Sequence, residues 1–131
     1  MRGLDTNVVV RYLTQDDPVQ AKLANNLIES AAASGEKLHL DAVVLCELVW
    51  VLCRAYRFDK PTIVGLLDKI LAAAYFSIAG RDSLREALVE YRSGTGDFAD
   101  YVIGLRNRGA GCDDTITFDR GLSGSPLFSL V

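Results

Sequence analysis

The sequence predicts an α/β fold: a short, mainly parallel central sheet held between helices in three layers, α/β/α. Two observations carry this. Short apolar runs with strand character alternate with helical segments along the whole chain, the pattern of a parallel sheet with crossover helices. The chain has 131 residues, half of them hydrophobic, and neither repeats nor low-complexity tracts nor linkers divide it. Residues 1–131 are therefore expected to form a single domain with a real core.

The elements follow in order. Residues 2–5 read as a strand ending at Asp5. Thr6–Leu13 reads as a first helix, with Asp5 or Thr6 as its N-cap. Asp16-Asp17-Pro18 is a turn and helix start, because proline is favoured in a first turn. That second helix runs to about Ala33, and Gly35 stops it. Leu38–Leu40 is a second short strand. Ala42–Tyr56 is a helix, too long and too free of Gly and Pro to be a strand. Pro61 starts the next helix, to about Ala73, with Ile63, Leu66, Leu67, Ile70 and Leu71 on one stripe. Tyr75–Ala79 is strand-like. Asp82-Ser83 opens a charged helix to about Tyr91. The S-G-T-G stretch at 93–96 is a loop and the expected flexible point. Phe98–Arg108 is a helix stopped by Gly109 and Gly111. Thr115–Phe118 is a strand ending at Asp119, and Phe128–Val131 is a last strand.

Composition excludes several function classes. The slightly positive mean hydropathy argues against disorder. No stretch of eighteen residues is apolar and uncharged, so no membrane span is expected. The start M-R-G-L-D reaches an acid too soon for a signal peptide, which predicts a cytoplasmic protein. Cys46, Cys53 and Cys112 form neither a C-x-x-C nor a zinc spacing. Cys46 and Cys53 share a helical face in apolar company and are expected as buried thiols. His39 is the single histidine. A two-histidine nuclease mechanism is thus impossible within one chain, and no G-x-S-x-G elbow exists for a serine triad. Any chemistry here must rest on carboxylates, with or without a metal. The net charge of −3 argues weakly against nucleic-acid binding. Setting five clustered acids aside on cations leaves 12 of the 17 acids against 14 Lys and Arg, a remainder of +2.

Glu47 is the most informative of the acids. It is the one charged residue in A-V-V-L-C-E-L-V-W-V-L-C. Its helical neighbours are Val43, Val44, Trp50 and Val51, so it is expected off any ordinary solvated face. A carboxylate buried there must meet a cation, meet a base or be held protonated by its surroundings. In an open parallel sheet, ligands bind at the carboxyl ends of the strands. Asp5 and Asp119 end strands, Asp97 and Asp100 share the first turn of a helix, and Glu47 follows the second strand. The topology would gather these five at one edge. Such a cluster asks for a counter-charge, and Mg²⁺ or Mn²⁺ suits all-oxygen donors. Each acid also has a plainer reading, as cap or turn residue, so the coincidence carries more weight than any one of them.

The motifs L-D-T-N-V-V-V-R-Y-L, V-V-L-C-E-L-V-W-V-L, G-D-F-A-D-Y-V-I-G and T-I-T-F-D-R stand in this order. In them the chain resembles the PIN-domain family, most of all the small ribonuclease toxins of VapBC-type toxin–antitoxin pairs. The resemblance covers nearly the whole chain, and no acid of the pattern is missing. It implies a PIN-like fold and a metal-dependent endoribonuclease, with Mg²⁺ or Mn²⁺ as cofactor. It implies Asp5, Glu47, Asp97, Asp100 and Asp119 as catalytic acids, with Asp5, Asp100 and Asp119 holding metal. Asp100 stands directly before Y-V-I-G and matches the inner ligand, with Asp97 beside it. Thr6, Asn7 and Thr117 would donate hydrogen bonds to the acids, and Arg11 and Arg120 would touch phosphate. Water attack would leave a 5′-phosphate and a 3′-hydroxyl. The implied partners are an RNA substrate, an antitoxin lying in an apolar groove, and a second copy in a homodimer. Tyr12, Leu13 and Trp50 are groove or core candidates, with core the default for Trp50.

Three rival readings fit the sequence less well. A haloacid-dehalogenase-like phosphatase needs an acid where Asn7 stands. A receiver domain needs an acidic pair before its first-strand aspartate and a strand-end lysine later, and neither is evident. A non-catalytic PIN scaffold that binds RNA or a protein fits less well with a complete acid set.

Overall fold

The computed structural model describes residues 1–131 and divides into two compact units, Met1–Ala79 and Gly80–Val131. The first unit holds β1 (Arg2–Gly3), α1 (Thr6–Thr14), α2 (Pro18–Ser34), β2 (Leu38–His39), α3 (Ala42–Arg54), α4 (Lys60–Ala72) and β3 (Phe76–Ser77). The second holds α5 (Arg81–Ser93), α6 (Phe98–Gly109), β4 (Thr115–Thr117), a 3₁₀ turn (Arg120–Leu122) and β5 (Phe128–Leu130). The α/β reading holds, and each expected element is present. The strands are shorter than expected, because their flanking residues are taken up by helix caps.

In the first unit the strands lie in the order β1-β2-β3, all parallel, with Gly3 opposite His39 and His39 opposite Ser77. Leu4 N donates to the His39 carbonyl at 2.9 Å and Leu40 N to the Ser77 carbonyl at 3.0 Å, extending the ladder to the residues before Asp5 and Asp41. Helix starts are written as aspartates. Asp17 accepts from Val19 N and Gln20 N, Asp41 from Val43 N, and Asp59 from Thr62 N. Each satisfies backbone donors that a helix start leaves orphaned, a cap of about 1 kcal/mol. Gly35, at φ 74°, ends α2 in the left-handed conformation as expected. The core holds Val9, Val10, Ile28, Leu38, Leu40, Leu45, Leu48, Leu52, Ile63, Leu67 and Phe76.

Arg11 is tied into this unit. Its Nε donates to Gln20 Oε1 at 2.7 Å, and its Nη1 reaches Asp16 Oδ1 at 3.2 Å and the Tyr56 hydroxyl at 3.0 Å. Tyr56 in turn donates to Asp16 Oδ2 at 2.6 Å. The bonds from Tyr56 and then Thr14, with the Arg11 charge, hold the Asp16 carboxyl below the usual carboxylate range. The network fastens the end of α1, the start of α2 and the residues beyond α3.

Tyr12 makes a second tie. A hydrogen bond with Tyr75, then burial, then the nearby Tyr75 and Glu29 charges push its hydroxyl from 10.0 up to about 12. The folded state thus keeps a proton that the unfolded chain gives up first. The contribution is complete below pH 10 and is lost as pH rises through about 12. Tyr12 is only half-buried, so it amounts to about 1 kcal/mol at most. The expected result is that Tyr12→Phe flattens part of the loss of urea stability across this alkaline window. Identical pH profiles for parent and variant would show that the bond contributes nothing.

In the second unit β4 and β5 pair in parallel, Thr115 opposite Phe128 and Thr117 opposite Leu130. Its core holds Leu84, Leu88, Tyr91, Phe98, Tyr101, Val102, Leu105, Leu122, Leu127 and Phe128. Two edge-on ring pairs, Tyr91–Phe98 at 6.0 Å and Tyr101–Phe128 at 6.4 Å, knit α5, α6 and β5 together.

The segment expected to be flexible is fastened. Gly96 is buried and its N–H donates to the Tyr101 hydroxyl at 3.0 Å. The Thr95 hydroxyl donates to the Gly121 carbonyl. The S-G-T-G composition here supplies room for Tyr101 rather than slack.

Three other expectations are corrected. Trp50 is not core but 60% exposed. Cys53 and Cys112 are exposed and Cys46 is half-buried, and no disulfide forms. The three corrections, at Cys46, Trp50 and Cys53, all lie on α3 and share one cause. Leu45, Leu48, Val49 and Leu52 are the buried stripe of α3, and the remaining apolar side chains turn away from it.

Candidate active site

Asp5 and Glu47 belong to the first unit, and Asp97, Asp100 and Asp119 to the second. Asp5 directly follows the β1 ladder and caps α1, its Oδ1 accepting from Thr6 N at 2.8 Å. Thr6 is 4% exposed, and its Oγ1 is buried with no hydrogen-bond partner. An unpaired buried hydroxyl costs about 1–3 kcal/mol. This orphaned polar atom lies directly beside Asp5 in the chain.

Glu47 is exposed, which corrects its expected burial. Val43, 59% exposed, and Trp50 lie beside it on the same uncovered face of α3. Apolar neighbours do not bury it, because α3 is apolar nearly all round and only its other stripe is covered. Asn7 is exposed and lines an apolar cleft between α1 and α2 with Val8, Arg11, Leu23 and Leu27.

In the second unit the three aspartates are set by backbone bonds. Asp97 is the N-cap residue of α6, and its N–H donates to Asp100 Oδ2 at 2.9 Å. Asp119 caps the 3₁₀ turn, its Oδ1 accepting from Gly121 N at 2.8 Å. Asp119 N donates to Thr117 Oγ1 at 3.0 Å, so Thr117 orients the aspartate through its backbone. Asp100 and Asp119 thus each commit one oxygen to the backbone and leave the other open. Burial pushes the Asp100 carboxyl above its usual range, and the charges of Asp97 and Asp119 add to the rise against the pull of the Asp97 N–H.

The three do not close into a ready-made cage of three ligands. Their chemistry still suits a hard cation that takes one or two carboxylates and keeps most of its waters. Mutual repulsion among them is what a divalent cation would relieve. Arg120 is exposed and lines a polar cleft with Ser93, Thr95, Tyr101 and Ser123.

Sequence reasoning missed the scaffold that aims these acids. Tyr101 follows Asp100, Gly96 precedes Asp97, and Thr95 bonds to the turn after Asp119. A buried tyrosine with its hydroxyl beside two glycines was the available signal. The plain readings of Asp5 and Asp97 as caps and of Asp119 as a turn residue are also correct as geometry, and they leave carboxylate oxygens free.

Comparison with known proteins agrees with this architecture. A "VapC ribonuclease" of Aquifex aeolicus (strain VF5) is 26% identical over 120 residues, covering 92% of this chain and 88% of the relative. The PIN domain profile matches residues 4–123, a span that contains all five acids and crosses both units. The chain belongs to the PIN-domain family.

Proposed function

We propose that this protein is a metal-dependent endoribonuclease of the VapC type, the toxin of a toxin–antitoxin pair. The carrying observation is the trio Asp97, Asp100 and Asp119, locked by backbone bonds and repelling one another at Asp100. The family match over residues 4–123 and the similarity to a VapC ribonuclease support the same reading. The two units would then act as one nuclease domain, in a cytoplasmic protein that works as a homodimer.

Asp5, Asp100 and Asp119 would hold Mg²⁺ or Mn²⁺, with Asp97 and Glu47 contributing directly or through waters. The bound cation would supply charge neutralisation at the phosphate and a more acidic water. A carboxylate, with Glu47 the candidate, orients the attacking water and accepts its proton. The phosphorus–O3′ bond breaks, and the leaving oxygen takes up a proton, giving a 5′-phosphate and a 3′-hydroxyl. Thr117 aims Asp119 through its backbone, and Thr6 and Asn7 would serve Asp5. Arg120 is the available phosphate contact, while the Arg11 guanidinium is engaged with Asp16, Gln20 and Tyr56. The apolar α1–α2 cleft, with Leu23 65% exposed, suits an amphipathic antitoxin segment.

The test is cleavage of mixed cellular RNA with Mg²⁺ or Mn²⁺, with and without EDTA. Cleavage that stops in EDTA and leaves 5′-phosphate ends is expected. Undiminished cleavage in EDTA would end the metal reading. RNA binding without turnover under every metal would favour a non-catalytic scaffold.

A further inference from the structure

The polar cleft of the second unit, about 290 Å³, opens beside the 3₁₀ turn that Asp119 caps. Glu90, Tyr101, Arg120 and Ser123 line it, and each brings a polar group that the fold leaves uncommitted. Glu90 is half-buried, and its carboxylate makes no ion pair or side-chain hydrogen bond. The Arg120 guanidinium and the Ser123 hydroxyl are equally free. Tyr101 is buried, and its hydroxyl accepts from Gly96 N while its own proton stays available to donate. Such groups gain hydrogen bonds when a ligand with matching donors and acceptors enters. A carboxylate only accepts, and it pairs best with two parallel donors. Among the RNA bases only guanine sets two donors side by side, N1–H and the N2 amino group. Adenine and cytosine set an amino group beside a bare ring nitrogen, whose lone pair would face the second carboxylate oxygen. Uracil sets its one N–H between two carbonyls. Guanine also presents O6 to a hydroxyl donor such as Tyr101 or Ser123. An arginine side chain of a protein partner offers two parallel donors as well, but Arg120 in the same cleft repels a second guanidinium.

We propose that this cleft takes a guanine base of the RNA, with Glu90 accepting from N1–H and the N2 amino group, and that Glu90 thereby selects where the RNA is cut. The inference rests on the ribonuclease reading above and adds base selectivity to it. Arg120 lines the cleft and follows Asp119 in the chain, so it keeps its place at a phosphate while the base lies on Glu90. Glu90 touches no reacting atom and acts as a specificity-determining residue.

The test titrates the intact protein, in EDTA, with GMP, IMP, AMP, CMP, UMP and free arginine, followed by backbone amide NMR shifts. GMP should bind at least about tenfold more tightly than AMP, CMP or UMP, the scale of one bidentate pair. IMP lacks the N2 amino group and should lose most of that advantage. Glu90→Gln should level the difference between GMP and IMP, since both changes act on the same pair of bonds. Sequencing the ends of cleaved cellular RNA should show guanine enriched at one fixed position beside the cut for the parent, and no such enrichment for Glu90→Gln. Equal binding of GMP, AMP, CMP and UMP, or a preference for GMP that survives Glu90→Gln, overturns the inference. Tighter binding of arginine than of GMP makes the cleft a protein contact and overturns it as well. A preference for GMP in a protein whose cuts show no guanine assigns the cleft to a free nucleotide, and the RNA assignment falls. A parent that cleaves no RNA under any metal removes the ribonuclease reading and with it the choice of cutting site, even where the metal-free titration shows the preference for GMP.

Discussion

Asp100→Asn should lower RNA cleavage at least about 100-fold while leaving a folded protein. The change keeps the shape of the side chain, and its amide oxygen still accepts from Asp97 N, the bond that measures 2.9 Å in the parent. What it removes is the charge that burial and the neighbouring Asp97 and Asp119 already disfavour. Stability in the absence of metal should therefore stay level or rise. Response to metal should move the other way. A cation that binds only the folded chain stabilises it by about 2.7 kcal/mol at 100 times its dissociation constant. Thermal melts with Mg²⁺ should show that increase in the parent and lose most of it in Asp100→Asn. Near-parental cleavage by the variant would remove Asp100 from the chemistry. A variant that is inactive but also much less stable would make it a structural residue. The paired readouts separate these outcomes, since a merely structural Asp100 has no reason to govern the effect of Mg²⁺ on melting.

The legible part of the fold was the part written in caps and periodicity. Asp17-Pro18, Gly35 and Pro61 each mark a helix boundary by local chemistry that needs no tertiary context. The structure puts α2 at Pro18–Ser34 and α4 at Lys60–Ala72, within a residue or two of expectation. The alternation of strands and helices likewise carried the parallel pairing. Asp5 and Asp119 could be placed because a residue at a strand end is fixed by where the strand stops.

Burial on α3 was less legible for a physical reason. Hydrophobic neighbours raise the chance that a face is covered, but coverage is a property of whatever packs against it. With Leu45, Leu48, Val49 and Leu52 taking the core, Val43, Glu47 and Trp50 remain outside. Glu47 keeps its interest as an acid on an apolar surface, although a charge that meets water needs no partner. The 93–96 loop failed in the opposite sense. Its small residues suggested freedom, whereas they exist so that the Tyr101 side chain can lie against the backbone.

Gly94→Ala tests that last point and should cost about 3 kcal/mol in urea unfolding. The backbone at Gly94 has φ −92° and ψ 176°, which any residue can adopt, so conformational freedom is not the reason for glycine. Space is. A Cβ there would sit 2.0 Å from the Tyr101 hydroxyl oxygen and 2.8 Å from the Glu90 carbonyl oxygen. Tyr101 is 2% exposed, and its hydroxyl accepts from the buried Gly96 N–H, so it cannot swing aside without orphaning that donor. The consequence reaches the acids, because Gly96 precedes Asp97, Tyr101 follows Asp100, and Thr95 is bonded to the turn that holds Asp119. Cleavage should fall more than stability alone accounts for, even at temperatures where the variant is fully folded. Combining Gly94→Ala with Tyr101→Phe should cost less than the sum of the two changes, since the shared clash with the hydroxyl is removed once. Strict additivity would mean that the loop does not rest on Tyr101. Loss of stability with cleavage per folded molecule unchanged would mean that it rests there without aiming the aspartates.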